Sequence, residues 1–180
     1  TAVGYLAGND TQGASSVAVG INAGTTSQGE SSVAVGNQAG ETTQARFAVA
    51  LGYLSGSATQ AEGGVAVGTN AGNSAQGASS VAIGRSAGQT TQGTNATAVG
   101  YSAGKTTQGE YSVAIGSSAG LTTQGANGII INSTGAALDD TTAGHIHIAS
   151  DDGSIDFTTA GGWTATDQVG TFDLRSATVD

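Results

Sequence analysis

Ser16-Val17-Ala18-Val19-Gly20 decides how this chain folds, because the same pattern returns every 16 residues. Its glycine recurs at Gly4, Gly20, Gly36, Gly52, Gly68, Gly84, Gly100 and Gly116, with no insertion or deletion between them. A period this short and this strict describes a solenoid, in which each repeat is one coil laid on the last. Residues 1–128 make eight such coils. Within each coil, Val17 and Val19 and their equivalents flank an alanine that never varies, from Ala2 to Ala114. Branched and tiny side chains alternating over three residues form a strand pattern.

After the glycine come a variable pair and then Ala23-Gly24 or its equivalent, with Ser55-Gly56 as the one variant. Three residues follow, the last two mostly small and hydroxylated, and then an unbroken glutamine column: Gln12, Gln28, Gln44, Gln60, Gln76, Gln92, Gln108 and Gln124. The pattern predicts two short strands per coil, turned at the positions of Gly20 and Gly29, where a missing Cβ permits unusual dihedrals. Stacked at about 4.8 Å, eight coils give a rod about 38 Å long. A buried glutamine ladder can pair its amides from coil to coil, so an invariant polar residue needs no catalytic explanation.

One coil holds too few large apolar residues to form a core by itself. We therefore expect an oligomer, with the branched residues inside each coil and the flat alanine row against neighbouring chains. A fibre axis favours a trimer.

The composition narrows the function classes. The 180 residues include 31 Gly and no Pro, Cys or Met, with 9% charged and 4% aromatic, which argues against an enzyme with a conventional core. Without cysteine there is neither a disulfide nor thiol chemistry. No stretch approaches 18 consecutive apolar residues and no signal peptide is visible, so no membrane insertion is expected. Thr1 begins in phase with a repeat, which suggests a fragment, a processed chain or the ordered part of something longer. Of the net charge of −9, residues 129–180 carry −7, from eight Asp and Arg175. Such a tail repels nucleic acid.

The pattern changes at Gly128-Ile129-Ile130-Ile131-Asn132, where Ile130 stands in the alanine row and Asn132 in the glycine row. A strand buried on both faces is expected there, followed by a turn-rich link to residue 144. Residues 129–144 then form a transitional coil and linker, and residues 145–180 a small acidic β region. Continuing the roll would overpack Ile130 against the neighbouring chains, so the chains are expected to splay or cross over into a β cap. In that cap, Trp163 is expected to be buried between chains. Asp151-Asp152-Gly153 suits a hairpin turn between His145–Ile148 and Ser154–Phe157.

The Ser-Val-Ala-Val-Gly and Ser-Val-Ala-Ile-Gly motifs, as at Ser16–Gly20 and Ser80–Gly84, each followed by Ala-Gly, resemble the YadA-like head repeat. That repeat occurs in trimeric autotransporter adhesins and in bacteriophage tail or head fibres. The resemblance covers residues 1–128 and implies a left-handed parallel β-roll trimerised about its long axis. It also implies a structural fibre protein of a virion for rigid extension and host attachment, bound to other virion or fibre proteins and to a host glycan or protein receptor. A bacterial adhesin head on the cell surface is the alternative, and an ice-binding solenoid the third. No segment resembles an autotransporter stalk or anchor, which favours the phage fibre.

His145 and His147 lie two residues apart, so one strand would direct both to one face. On a trimer axis, six imidazoles would converge and could hold iron, nickel or zinc. The resemblance adds weight, since phage fibres and spikes use His-X-His pairs in this way. The alternative has both histidines in solvent and Ile146 and Ile148 in the core. No other cofactor is expected.

Paired threonines at Thr42-Thr43, Thr90-Thr91, Thr106-Thr107 and Thr122-Thr123 could form an ice-binding ladder. Neighbours along a strand point to opposite faces, however, and Asp10, Ala58, Ser74 and Ala75 interrupt the columns. Asp151, Asp152 and Asp156 could form a carboxylate pair, although Asp around Gly more often makes a turn. Tyr5, Tyr53, Tyr101, Phe47, Tyr111, Arg46, Arg85 and Lys105 break the small-residue monotony and are the candidates for receptor contact.

Overall fold

The computed structural model describes residues 1–150, 153–157 and 163–164. Among these residues there is no helix, and the strands form two sheets. The first sheet stacks the Val17–Val19 strand and its equivalents in parallel, Val17 beside Val33, Ala18 beside Ala34 and Val19 beside Val35. The second stacks the two-residue strands that end in glutamine, Gln28 beside Gln44 and Gln44 beside Gln60. The chain is therefore a parallel β-solenoid with coils of 16 residues, each crossing from one sheet to the other and back.

Glycine sets the coil's shape at two places. Gly20 has φ of 132° and sits directly under the next coil, so an added Cβ would collide with the carbonyl of Gly36. Gly24 has φ of 54°, and a Cβ there would come within 2.8 Å of the Gln28 amide carbon inside the coil. The same conformations return in coil after coil, which is why the period tolerates no other residue there.

The alanine row faces the interior, which corrects the expected orientation of the strand. Ala18, Ala34, Ala50, Ala66, Ala82, Ala98 and Ala114 are fully buried, packed with the second alanine row of Ala23, Ala39, Ala71, Ala87, Ala103 and Ala119. The branched residues point outward. Val17 and Val19 are half-buried, and Leu51, Ile83 and Ile115 are exposed. The glutamines dictate this choice. Each projects into the same narrow space as the alanines, and the remaining gap admits only a methyl group.

The parallel stack continues past residue 128, contrary to the expected change of packing. Ile129–Asn132 pairs in parallel with Val113–Ile115, and Ile146–Ser150 pairs in parallel with Ile129–Asn132. Ile130 does not meet a neighbouring chain. It lies inside, in register with Ala114, and is buried, while Ile131 is exposed, so this strand is covered on one face only. The ninth coil makes room because Asp140 stands where the glutamine would be, paired with Gln124, and its side chain is shorter. A larger residue in one interior row is offset by a smaller one in the other.

Strand direction reverses only afterwards. Gly153–Phe157 runs antiparallel to Ile146–Ser150, with Ser150 opposite Gly153, as the hairpin reading expects. Trp163–Thr164 adds a further antiparallel strand. The expected burial of the Trp163 side chain, and the roles suggested for Asp151 and Asp152, lie outside the described residues.

Candidate functional site: the exposed branched face, the turn edges and the end of the roll

Three surfaces carry the roll's chemistry. The first is the outer face of the branched-residue sheet. Val3, Leu51, Ile83, Ile115 and Ile131 are all exposed on it, in one row. Val17, Val33, Val49, Val65, Val81 and Val113 form a second row beside them, half-buried. No charged residue interrupts either row across the nine coils from Thr1 to Asn132. A contiguous apolar patch on a surface marks a place where another surface can dock.

The second surface comprises the two turn edges. Tyr5, Tyr53 and Tyr101 stand exposed on the edge that leads from the branched strand to the glutamine strand. The Arg85 guanidinium lies 4.5 Å from the centre of the Tyr101 ring. On the opposite edge, Phe47 and Tyr111 are exposed at φ of 61° and 57°. Arg46 stacks 5.5 Å from the Phe47 ring and pairs with Glu62 at 3.2 Å. Lys105 lies on the first edge. The structure thus divides the eight sequence candidates between two opposite edges rather than gathering them on one face.

The third surface is the end of the roll. Gln28 Nε2 donates to the Val17 carbonyl at 2.7 Å and approaches Gln44 Oε1 at 3.3 Å, and most other coils repeat both contacts. In the ninth coil Asp140 replaces the glutamine, and His145 Nδ1 lies 2.7 Å from its Oδ2. His147 Nδ1 is 3.9 Å from the same oxygen. Burial of the Asp140 carboxyl works to raise its pKa, but the Thr142 backbone N–H at 2.9 Å and the His145 side chain act against it and hold the carboxyl below its ordinary value.

This geometry corrects the alternative that sets both histidines in solvent and the isoleucines in the core. His147 is in register with Ile130, in the interior row, and is mostly buried. Ile146 and Ile148 are in register with Ile129 and Ile131 and continue the branched rows outside. The pair therefore turns away from the exposed apolar face, and His145 is committed to Asp140. Among the described residues, no group of three or more His, Cys, Asp or Glu is arranged to hold a metal ion.

The threonine pairs also differ from expectation. Thr42 and Thr43 are both exposed, as are Thr90 with Thr91 and Thr106 with Thr107. Only the second of each pair belongs to a strand, so the alternation rule does not separate them.

Asp140 is the residue that sequence reasoning missed. Its signal was present: it stands 16 residues after Gln124, where the glutamine column ends, and five before His145. No family model matches the chain, and no curated protein or solved structure matches it.

Proposed function

We propose that this chain is a rigid fibre segment of a virus particle, a homotrimer of parallel rolls that packs its branched faces around a common axis. The exposed branched strip carries this reading. Burying Leu51, Ile83, Ile115 and their half-buried neighbours gives each coil the large apolar contact that its alanine interior lacks, at about 25 cal/mol per Å². Three copies related by a rotation along the rod bury three identical strips at once and leave no strip exposed. The resemblance to YadA-like head repeats supports the same arrangement, a left-handed sense of the coil and a role in host attachment.

The chemistry favours extension and contact over catalysis. Ten parallel levels at about 4.8 Å give a rod of about 45 Å. Its interior is filled by alanine and hydrogen-bonded glutamine. The turn edges are where the rod meets other virion proteins and a host receptor. Antiserum raised against the purified chain tests this by electron microscopy of particles and cells from the source culture. Labelled fibres on virus particles are expected. Labelling of the bacterial surface instead would transfer the rod to an adhesin head, and labelling of neither would contradict both.

A second reading, ice binding, is favoured by one observation: the paired threonines Thr42-Thr43, Thr90-Thr91 and Thr106-Thr107 face solvent together on the glutamine sheet. Ala58, Ser74 and Ala75 break that ladder in its middle. Thermal hysteresis of the purified protein decides it, and none is expected.

A further inference from the structure

Every charged side chain of residues 1–128 lies on one of the two turn edges. The first edge, after the branched strand, carries Asp10, Glu41, Arg85 and Lys105. The second, after the glutamine strand, carries Glu30, Arg46, Glu62 and Glu110. Arg46 and Glu62 pair with each other. Among the described residues, Lys105, Arg85, Glu30, Glu41 and Glu110 have no ion-pair partner within the chain.

The charges follow a rule when compared level by level. Only two coils bear charge on both edges, residues 33–48 and residues 97–112. In the first, Glu41 stands on the first edge and Arg46 on the second. In the other the signs are exchanged, with Lys105 on the first edge and Glu110 on the second. Opposite signs therefore face outward from opposite edges at both levels. The same two coils place an exposed aromatic beside the second-edge charge, Phe47 next to Arg46 and Tyr111 next to Glu110. Both aromatics occupy a left-handed backbone position, φ 61° and 57°, where the other coils use Ser, Asn or Gly. A bulky residue there is conformationally costly and persists where something covers it.

We infer that the first edge of one copy abuts the second edge of the next at the same coil level, Lys105 against Glu110 and Glu41 against Arg46. The inference rests on the proposed trimer, because a rotation about the branched face brings unlike edges together without displacement along the rod. Tyr111 of one copy then meets Tyr101 of its neighbour. The arrangement also selects the register. A slip of one coil sets Glu41 against Glu30 in one direction and against Glu62 in the other and leaves Lys105 with no charge opposite; the second direction gains a single unlike pair, Arg85 with Glu110, in place of the two it loses. Edge charges of this kind act on register and partner choice more than on raw affinity.

The chain has no cysteine, so cross-linking tests the contact directly. Positions 105 and 110 flank the extended strand Thr107–Gln108, about 15 Å apart along the backbone, so a disulfide between them within one chain is out of reach. Mild oxidation of the double variant K105C/E110C is expected to give covalent species of three chains that reductant dissolves. K105C and E110C alone are expected to stay single. Covalent dimers from the single variants, or no cross-link in a double variant that light scattering shows to be trimeric, would overturn this contact and leave the trimer standing. A double variant and wild type that are both monomeric would overturn the trimer itself. As a second readout, the reversal K105E is expected to raise the concentration at which trimers dissociate by about 3-fold or more, and K105E/E110K to restore it. Additive effects of the two reversals would contradict the pairing.

Discussion

Gln44 donates through Nε2 to Gln60 Oε1, one coil further along the rod, at 3.1 Å, and to the Val33 carbonyl of its own coil at 2.8 Å. Gln60 in turn donates to the Val49 and Gly64 carbonyls at 2.7 and 3.0 Å. One buried amide thus ties two coils together and closes its own coil across the interior. Replacing Gln60 by Leu keeps much of the volume but removes its bonds to the Val49 and Gly64 carbonyls and the bond it accepts from Gln44, while backbone and neighbouring bonds still partner the Gly64 carbonyl and the Gln44 amide. The Q60L chain is expected to lose about 1–3 kcal/mol, at about 1 kcal/mol for each hydrogen bond removed. Chemical denaturation of wild type and variant measures it, and an unchanged midpoint would show that the ladder carries no stability.

Ala82 has no exposed surface, and a Cβ built on Gly88 would lie only 3.2 Å from the Ala82 methyl. The interior has no room for two further methyl groups. The A82V variant is therefore expected to lose about 1–3 kcal/mol by overpacking. Its neighbour Val81, half-buried on the outer face, is expected to behave oppositely: V81A weakens association of the copies and hardly changes the secondary structure of a dilute chain. Circular dichroism melts at several concentrations separate the two effects.

Much of the fold could be read from the residues, but which side chains fill the interior could not. The period, the two strands per coil and the role of the glutamine column follow from spacing alone. Which side of the Val-Ala-Val strand faces inward does not, because both candidates are apolar and hydrophobicity ranks valine as the better core residue. Volume decides it instead. Once Gln28 and Gly24 are placed in the interior, only Ala18 fits beside them. The packing at the end of the roll is hidden in the sequence for the same reason, since Ile130 fits the interior beside the shorter Asp140. The burial of His147 follows from its register with the alanine row, which a two-residue spacing does not reveal.

Asp140 makes the last coils sensitive to acid. Its carboxyl is held below its ordinary pKa in the folded chain, so its contribution is present above the unfolded value and disappears as pH falls through the folded one. His145, His147 and Thr142 face it. The end of the roll is expected to loosen below the ordinary carboxylate range while residues 17–112 stay folded. Amide hydrogen exchange at residues 129–150 across that range follows the change. D140N is expected to show faster exchange there already at neutral pH, and exchange that stays slow in the variant would remove Asp140 from this role.

Gly68 has φ of 124°, and an added Cβ would sit 2.8 Å from the Gly84 carbonyl oxygen. Backbone atoms of the next coil cannot yield without breaking the stack. G68A is expected to lose about 1–3 kcal/mol or more, from backbone strain and steric conflict together. Thermal melts compare it with G135A, which shares a positive φ, 73°, but has nothing within 4 Å of an added Cβ. The G135A chain is expected to stay closer to wild type, and equal losses would contradict the stacking argument.

In the proposed trimer, copies meet on the exposed row of Leu51, Ile83 and Ile115. Light scattering during size-exclusion chromatography, run on wild type and on Ile83→Asp, tests that most directly. Wild type is expected to elute with the mass of three chains, and I83D to fall to one chain or aggregate while keeping its β spectrum. A wild-type chain that is folded and monomeric, or an I83D variant that remains a trimer, would contradict it.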